Sequence, residues 1–308
     1  RVVIIVPDST RSAPLPLCFR SFAELLGERV DALDFMIALG THAPMSEQAI
    51  CHQFGITVQE RREEYGEIGI YNHNWKEGLG EIGVISAARS RALSEGLLEE
   101  DVVIEINGRL LNYDHIIICG PVFPHEIAGF SGGNKYFFPG VSGPDVIDFT
   151  HWLGALIGNV NIIGHQDTPV RRALDEAASF IDVPKSCFSM VVKGHEDLVG
   201  LYFGTPEASQ AQAAKLAAKV NVTYVERTYD TVLAVMPELY DDVWTAGKGM
   251  YKTESIVADG GKVIIYAPHI DEVSYTHGEI LDRIGNHVRD YFLAHMDEFD
   301  DVPRTVMA

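Results

Sequence analysis

The sequence predicts an α/β protein of two domains, each a mostly parallel sheet flanked by helices, with its active site in the cleft between them. Three observations carry that prediction. Strand-length apolar runs alternate with helix-length amphipathic stretches along the chain. The 308 residues suffice for two cores. A second strand–helix unit restarts after residues 226–229, which divides the chain into 1–227 and 228–308. The second unit is expected to be incomplete at its C-terminal end. The chain begins at Arg1 inside RVVIIV, and further segments are expected on both sides.

Taken in order, residues 2–6 read as a buried strand, followed by a polar turn at 8–12 and a helix over 17–26. Residues 34–39 form the next strand, ending in Gly40-Thr41-His42, and Pro44 and Ser46 open a helix through Phe54. Strands at 102–106 and 115–119 are separated by the turn-forming pair Asn107-Gly108. A helix is expected over 144–157, with Ser142 and Asp145 at capping-box spacing and Pro144 near its first position. Residues 188–192 and 198–203 read as paired strands, and 208–220 as an alanine-rich helix. Beyond the boundary come a strand at 231–235, a helix over 242–258, a break at Gly260-Gly261, a strand at 263–266 and a helical pattern over 278–299.

In parallel α/β sheets, ligands collect at the carboxyl ends of strands. That rule gathers Asp8–Arg11, Thr41–His42 and the segment after residue 119 onto one edge. Residues 120–151 read GPVFPHEIAGFSGGNKYFFPGVSGPDVIDFTH. Long stretches of this kind without regular structure are functional or disordered. Phe123, Phe130, Tyr136, Phe137 and Phe138 make this one too apolar for disorder.

Composition narrows the partners. A formal net charge of −20 argues against nucleic acid or an anionic membrane surface. No apolar run is long enough to span a bilayer, and no signal peptide is evident. Four dispersed cysteines without a C-x-x-C pair suggest reduced thiols in a cytoplasmic protein.

Each chemical group has a plain reading beside a functional one. The run from Gly129 to Lys135 suggests a phosphate loop, but it lacks the G-x-x-x-x-G-K-[ST] spacing. Lys135 is followed by three aromatics and a proline, and a desolvated lysine becomes a nucleophile or a point of covalent attachment. His151 lies three residues after Asp148, which could orient it towards a metal. An isolated helix histidine satisfied by its neighbours remains the simpler reading, and no H-E-x-x-H pattern accompanies it. His42 and His125 form either an acid–base pair or two solvated loop histidines. Arg11 and Lys248 suit a carboxylate or phosphate, unless both are surface charges.

Together these residues resemble one family, the nickel-pincer-nucleotide lactate racemases. The resemblance is carried by Asp8-x-Thr10-Arg11, Gly40-Thr41-His42-x-Pro44, His125-x-x-x-Gly129-Phe-Ser-Gly-Gly-x-Lys135, Pro139-Gly140, His151 and Lys248-Gly249-Met250. It implies that Lys135 carries the cofactor covalently, as the thioamide of a pyridinium-3,5-bisthiocarboxylic acid mononucleotide. Nickel would be held by two sulfurs, a ring carbon and His151, a donor set suited to Ni(II). His42 and His125 would be bases on opposite sides of a 2-hydroxy acid while hydride moves to the cofactor and back. Arg11, Lys248 and Thr245 would hold substrate, and Asp8, Thr10 and Arg11 would lie on the cofactor's side. Ser131, Gly132 and Gly133 would seat its phosphate through backbone amides. Cofactor-synthesis proteins would be transient partners.

Four positions depart from the lactate racemase pattern. Ser9, Ala43, Trp244 and Thr245 stand where the family prototype has histidine, arginine, tyrosine and glutamine. The substitutions suggest a substrate larger than lactate, such as a sugar acid. Two other readings stay open: a metal-dependent lyase or hydrolase using His42, His125 and His151, and a non-catalytic carrier of nickel or cofactor.

Overall fold

The computed structural model describes residues 1–194 and 197–308. Strand β1 (Val2–Pro7) leads into helix α1 (Leu15–Leu26), and β2 (Leu33–Ala38) into α2 (Glu47–Phe54) and α3 (Val58–Glu63). Then come β3 (Gly69–Asn72), β4 (Leu79–Ile85), α4 (Ala87–Leu93), β5 (Val102–Asn107) and β6 (His115–Pro121). A short hairpin, β7 (Pro124–His125) and β8 (Gly129–Phe130), precedes α5 (Pro144–Ile157) and α6 (Pro169–Ser179). Next are β9 (Lys185–Lys193), β10 (Asp197–Gly204) and α7 (Pro206–Val220). The remainder holds β11 (Tyr229–Val235), α8 (Val243–Ala246), α9 (Lys248–Thr253), β12 (Val257–Tyr266), α10 (Gly278–Ile284), α11 (Arg289–Ala294) and α12 (Arg304–Met307).

Six strands form the main sheet in the order β10-β9-β6-β1-β2-β3. All neighbours are parallel except the β9–β10 pair. Strand β1 explains the unbroken apolar run at the start of the chain. Its Ile4 and Val6 pack with Phe19 of α1 and Phe54 of α2, while Val3 and Ile5 pack with Phe149 of α5 and Leu174 of α6. Neither face meets water, so neither face is polar. Because β2 and β6 flank β1 on opposite sides, the winding reverses at β1. The ends of these three strands open on one crevice, as expected of such a switch point.

Several local expectations change. Residues 102–107 are a strand, but one paired antiparallel with β4 outside the main sheet. The helix over 144–157 has Gly143 as its N-cap, with no side-chain cap. Ser142 Oγ instead donates to the Gly143 carbonyl, so the Ser142/Asp145 capping box is absent. The stretch 242–258 breaks into α8, α9 and a 3-10 turn, because Val257 already pairs with Tyr229 of β11. Gly260-Gly261 is no boundary either. It lies inside β12, where the β11 register shifts, and Gly260 takes φ +77°, so the pair forms an irregularity within the strand. The pattern at 278–299 splits at Gly285, whose φ of +71° ends α10. Strands β3 and β4 and helices α3, α4 and α6 were not anticipated.

Candidate active site

The crevice is built from the ends of β1, β2 and β6. After β1, the Asp8 carboxylate accepts from Thr10 Oγ1 (2.6 Å) and the Thr10 amide (3.1 Å), and the Arg11 guanidinium donates to Thr10 Oγ1 (2.8 Å). From the turn after β2, His42 Nδ1 lies 2.5 Å from Asp8 Oδ2. Burial opposes ionisation of Asp8, but His42, Arg11 and Thr10 outweigh it and hold the carboxyl below its ordinary range. An ionised carboxylate only accepts, so His42 carries its proton on Nδ1 and leaves Nε2 as a base.

The segment after β6 is folded back on itself by the β7–β8 hairpin. Ser131 closes it: its amide donates to the Phe123 carbonyl (2.8 Å), and its hydroxyl accepts from the Phe123 amide (3.0 Å) and donates to Pro121 (3.1 Å). Gly129 takes φ +77°, and a Cβ there would strike the His165 carbonyl at 1.8 Å, so only glycine fits. Arg171 of α6 donates to the carbonyls of Phe130 and Gly132. Asn134 donates to Asp175 (2.9 Å) and Glu207 (2.7 Å). These bonds grip the turn from behind and deliver Lys135 into the crevice. They also revise the expected phosphate cradle. The Ser131 amide is spent on Phe123, and the Gly133 amide faces the Cys187 thiol.

Four cations and three histidine or carboxylate groups interact there. Burial, then Arg11, pushes the Lys135 amine down to about 7, with Lys248 and Arg171 adding to the effect and Glu126 opposing it. Lys248, at the start of α9, is lowered to about 8 by burial and Arg11, against Glu126. His125 is held well below its ordinary value by burial, then by Lys135, Lys248, Arg11 and His151. His151 is pushed down to about 4 by burial and Lys135. His125, Lys135, His151, Arg11 and Lys248 thus feel one another's charge in a single site, in which His125 is buried and the other four are partly buried.

Ring tautomers follow from the partners. His151 Nδ1 donates to the Ile147 carbonyl (2.8 Å), leaving Nε2 as a free lone pair. Asp148 does not orient it: its oxygens accept from the amides of Arg304 and Thr305, both at 3.1 Å. His125 Nδ1 accepts from the Ile127 amide (3.1 Å), so its proton sits on Nε2. Thr245 is buried, and its hydroxyl donates at 2.6 Å to Asp242, the residue that caps α8, so it is no free donor for a substrate.

One residue of this site was missed in the sequence. Glu126 is 7% exposed, with Lys248 Nζ 3.9 Å from one oxygen and His125 Nδ1 3.7 Å from the other. Its only sequence signal is its place beside His125.

The switch point of this α/β sheet thus holds a lysine of lowered pKa, a lone-pair imidazole and paired cations in one partly buried polar site. The sequence model of the lactate racemase N-terminal domain matches residues 1–162, and the chain belongs to that family. It is similar to the lactate racemase of Thermoanaerobacterium thermosaccharolyticum, 23% identical over 88% of this chain and 60% of that protein. Against the lactate racemase of Lactiplantibacillus plantarum it is 24% identical, over 86% of this chain and 59% of the relative. The chain thus spans about three-fifths of the length of these curated relatives. A crystal structure of a protein from Thermotoga maritima superposes with a TM-score of 0.90 at 30% identity, covering 99% of this chain and 76% of that one. The apoprotein of the Thermoanaerobacterium lactate racemase gives 0.71 at 21% identity, over 87% of this chain and 61% of that one.

Proposed function

We propose that this chain is the catalytic part of a racemase or epimerase that inverts the hydroxyl-bearing carbon of a 2-hydroxy acid. The observation that carries the reading is Lys135: a half-buried residue whose amine is lowered to about 7 by desolvation and Arg11, with a histidine of free Nε2 among its charge neighbours. Such an amine is nucleophilic near neutral pH, and such an imidazole is a metal ligand. Both fit a nickel-pincer nucleotide, with Lys135 as tether and His151 as nickel ligand. When bound, that cofactor would supply the hydride-accepting and hydride-donating chemistry that inversion needs.

The chain's own residues would do the rest. Arg11 and Lys248 hold the carboxylate, Arg11 as a planar fork and Lys248 as a point charge. His42, steadied by Asp8, removes the hydroxyl proton at Nε2 and is worth ~10²–10⁴ in rate. His125 serves the opposite side. In the tautomer selected by the Ile127 amide it meets oxygen as a donor, and accepting a proton at Nε2 requires that amide to be released. Lys248 would belong to a second domain, 228–308, and domain closure would complete the site.

The small residues Ser9 and Ala43 favour a substrate larger than lactate, with cofactor-synthesis proteins as transient partners. Among the described residues, no three His, Cys, Asp or Glu side chains are grouped to hold a metal ion, which weighs against a three-histidine hydrolase. The described residues also include no helix long and apolar enough to cross a membrane.

The test is the mass of the Lys135 peptide from protein made alongside the cofactor pathway. A nucleotide-sized adduct with bound nickel is expected, and Lys135→Ala should remove it. An unmodified lysine would overturn the reading. Replacing His42 should abolish racemisation and keep the adduct, whereas a carrier would not need that histidine.

A further inference from the structure

The racemase reading leaves Glu126 without a task, yet it is the carboxylate with the least conventional surroundings in the site. Its residue is 7% exposed, so it has little water to solvate it. Its nearest ionisable neighbours, Lys248 Nζ at 3.9 Å and His125 Nδ1 at 3.7 Å, lie beyond hydrogen-bond length. The His125 nitrogen facing it is the one already accepting from Ile127, so that nitrogen has no proton to offer. Among the described residues, no other side chain donates to Glu126 at hydrogen-bond distance. An ionised carboxylate has about four acceptor positions, and with only its own amide as a hydrogen-bond partner most of them lack a protein donor, which is costly at low exposure. The group nevertheless stays ionised: burial opposes it, but Lys248, its own amide, Lys252 and Arg11 hold the carboxyl below its ordinary value.

Asp8 shows the contrast. It is equally buried, but His42 and Thr10 fill its oxygens. Glu126 sits between the lysine expected to hold the substrate carboxylate and the histidine expected to face the reacting hydroxyl. A group positioned there meets substituents next to the reacting carbon.

We propose that Glu126 determines specificity by accepting a hydrogen bond from a second hydroxyl beside the reacting carbon. The site would then select 2,3-dihydroxy and longer polyhydroxy acids, and reject 2-hydroxy acids carrying a second carboxylate. A neighbouring hydroxyl supplies the missing donor, whereas a second carboxylate meets a like charge in a partly desolvated site. This inference rests on the racemase reading for the identity of the reacting carbon, and it adds a substrate class to that reading.

The test compares two acids of equal chain length, one with a 3-hydroxyl and one without, together with a 2-hydroxy dicarboxylate. Turnover by the cofactor-loaded enzyme and calorimetric binding are measured for each. The wild type should favour the 3-hydroxylated acid by about tenfold to a hundredfold, the range of a hydrogen bond to a charged group. Glu126→Gln should collapse that preference and admit the dicarboxylate. Glu126→Asp keeps the charge on a shorter arm, should retain part of the preference, and serves if the glutamine variant folds poorly. An equal loss on both monocarboxylates would overturn the proposal, since Glu126 would then only position Lys248 and His125. If the wild type binds the hydroxylated acid more tightly but inverts neither, the racemase reading fails and Glu126's role stands. If it inverts both equally well, the reverse holds.

Discussion

Two regions meet at the site and are built very differently. Residues 120–151 are densely packed around their aromatics: Phe130, Phe137, Phe138, Val141 and Phe149 are each at most 2% exposed. The β11–β12 sheet is thin, with Leu233, Val235, Ile264 and Tyr266 exposed at 48% or more. The first region supplies His125, Lys135 and His151. The second carries Lys248 on α9, between its two strands, and Asn159, just beyond α5, ties that connection down by donating to the Tyr251 carbonyl and to Glu254. On the proposed reading, the groups that would need fixed geometry for a covalent bond or a metal bond come from the dense element, where locked neighbours hold them in place. The group that needs only to present charge comes from the lighter one.

The largest expected effect concerns Lys135. At pH 7 an ordinary lysine is neutral in about one molecule in a few thousand. An amine lowered to about 7 is neutral in about half. The sign follows directly: below that pH the group is ammonium and inert, and above it the amine reacts. Acylation of the cofactor-free protein, followed by peptide mass, should show Lys135 labelling rising through about pH 7 and Lys248 through about pH 8. A Lys135 midpoint near 10.5 would erase the contrast between the regions.

Packing gives the next effect. Phe137→Ala should destabilise by about 3–5 kcal/mol in denaturant unfolding, because the ring is fully buried against the sheet. Lys248→Ala should lower kcat/KM of the loaded enzyme about tenfold to a hundredfold, the worth of a charged hydrogen bond. Its unfolding midpoint should barely move, which separates binding from stability. The smallest effect is expected at Ile264→Ala, on an exposed strand, where about 0.5 kcal/mol or less is predicted. A loss comparable to that at Phe137 would show that the thin sheet is covered in solution.

Much of this protein could be read directly from its residues. The run at 2–6 had to be a strand buried on both faces, and the helix over Pro144–Ile157 was found to the residue. The strand-end rule gathered Asp8, Arg11, His42 and His125 onto one edge, and the parallel β6-β1-β2 order agrees with it. Periodicity and turn chemistry are local properties, so they survive without tertiary context.

What the tertiary structure decided were partnerships. Asp148, one helical turn from His151, looked like its orienting group. Its oxygens instead receive amides from Arg304 and Thr305, far along the chain. Ser131 looked like part of an anion cradle, but its amide donates to the Phe123 carbonyl. Val102–Asn107 had the pattern of a parallel strand and joined β4 in its own antiparallel pair. Glu126 became visible only once Lys248, from 122 residues away, was beside it. Sequence spacing determines which side chains share a face, whereas hydrogen-bonding and charge partners depend on which distant segments pack together, and that is settled by burial of the whole core.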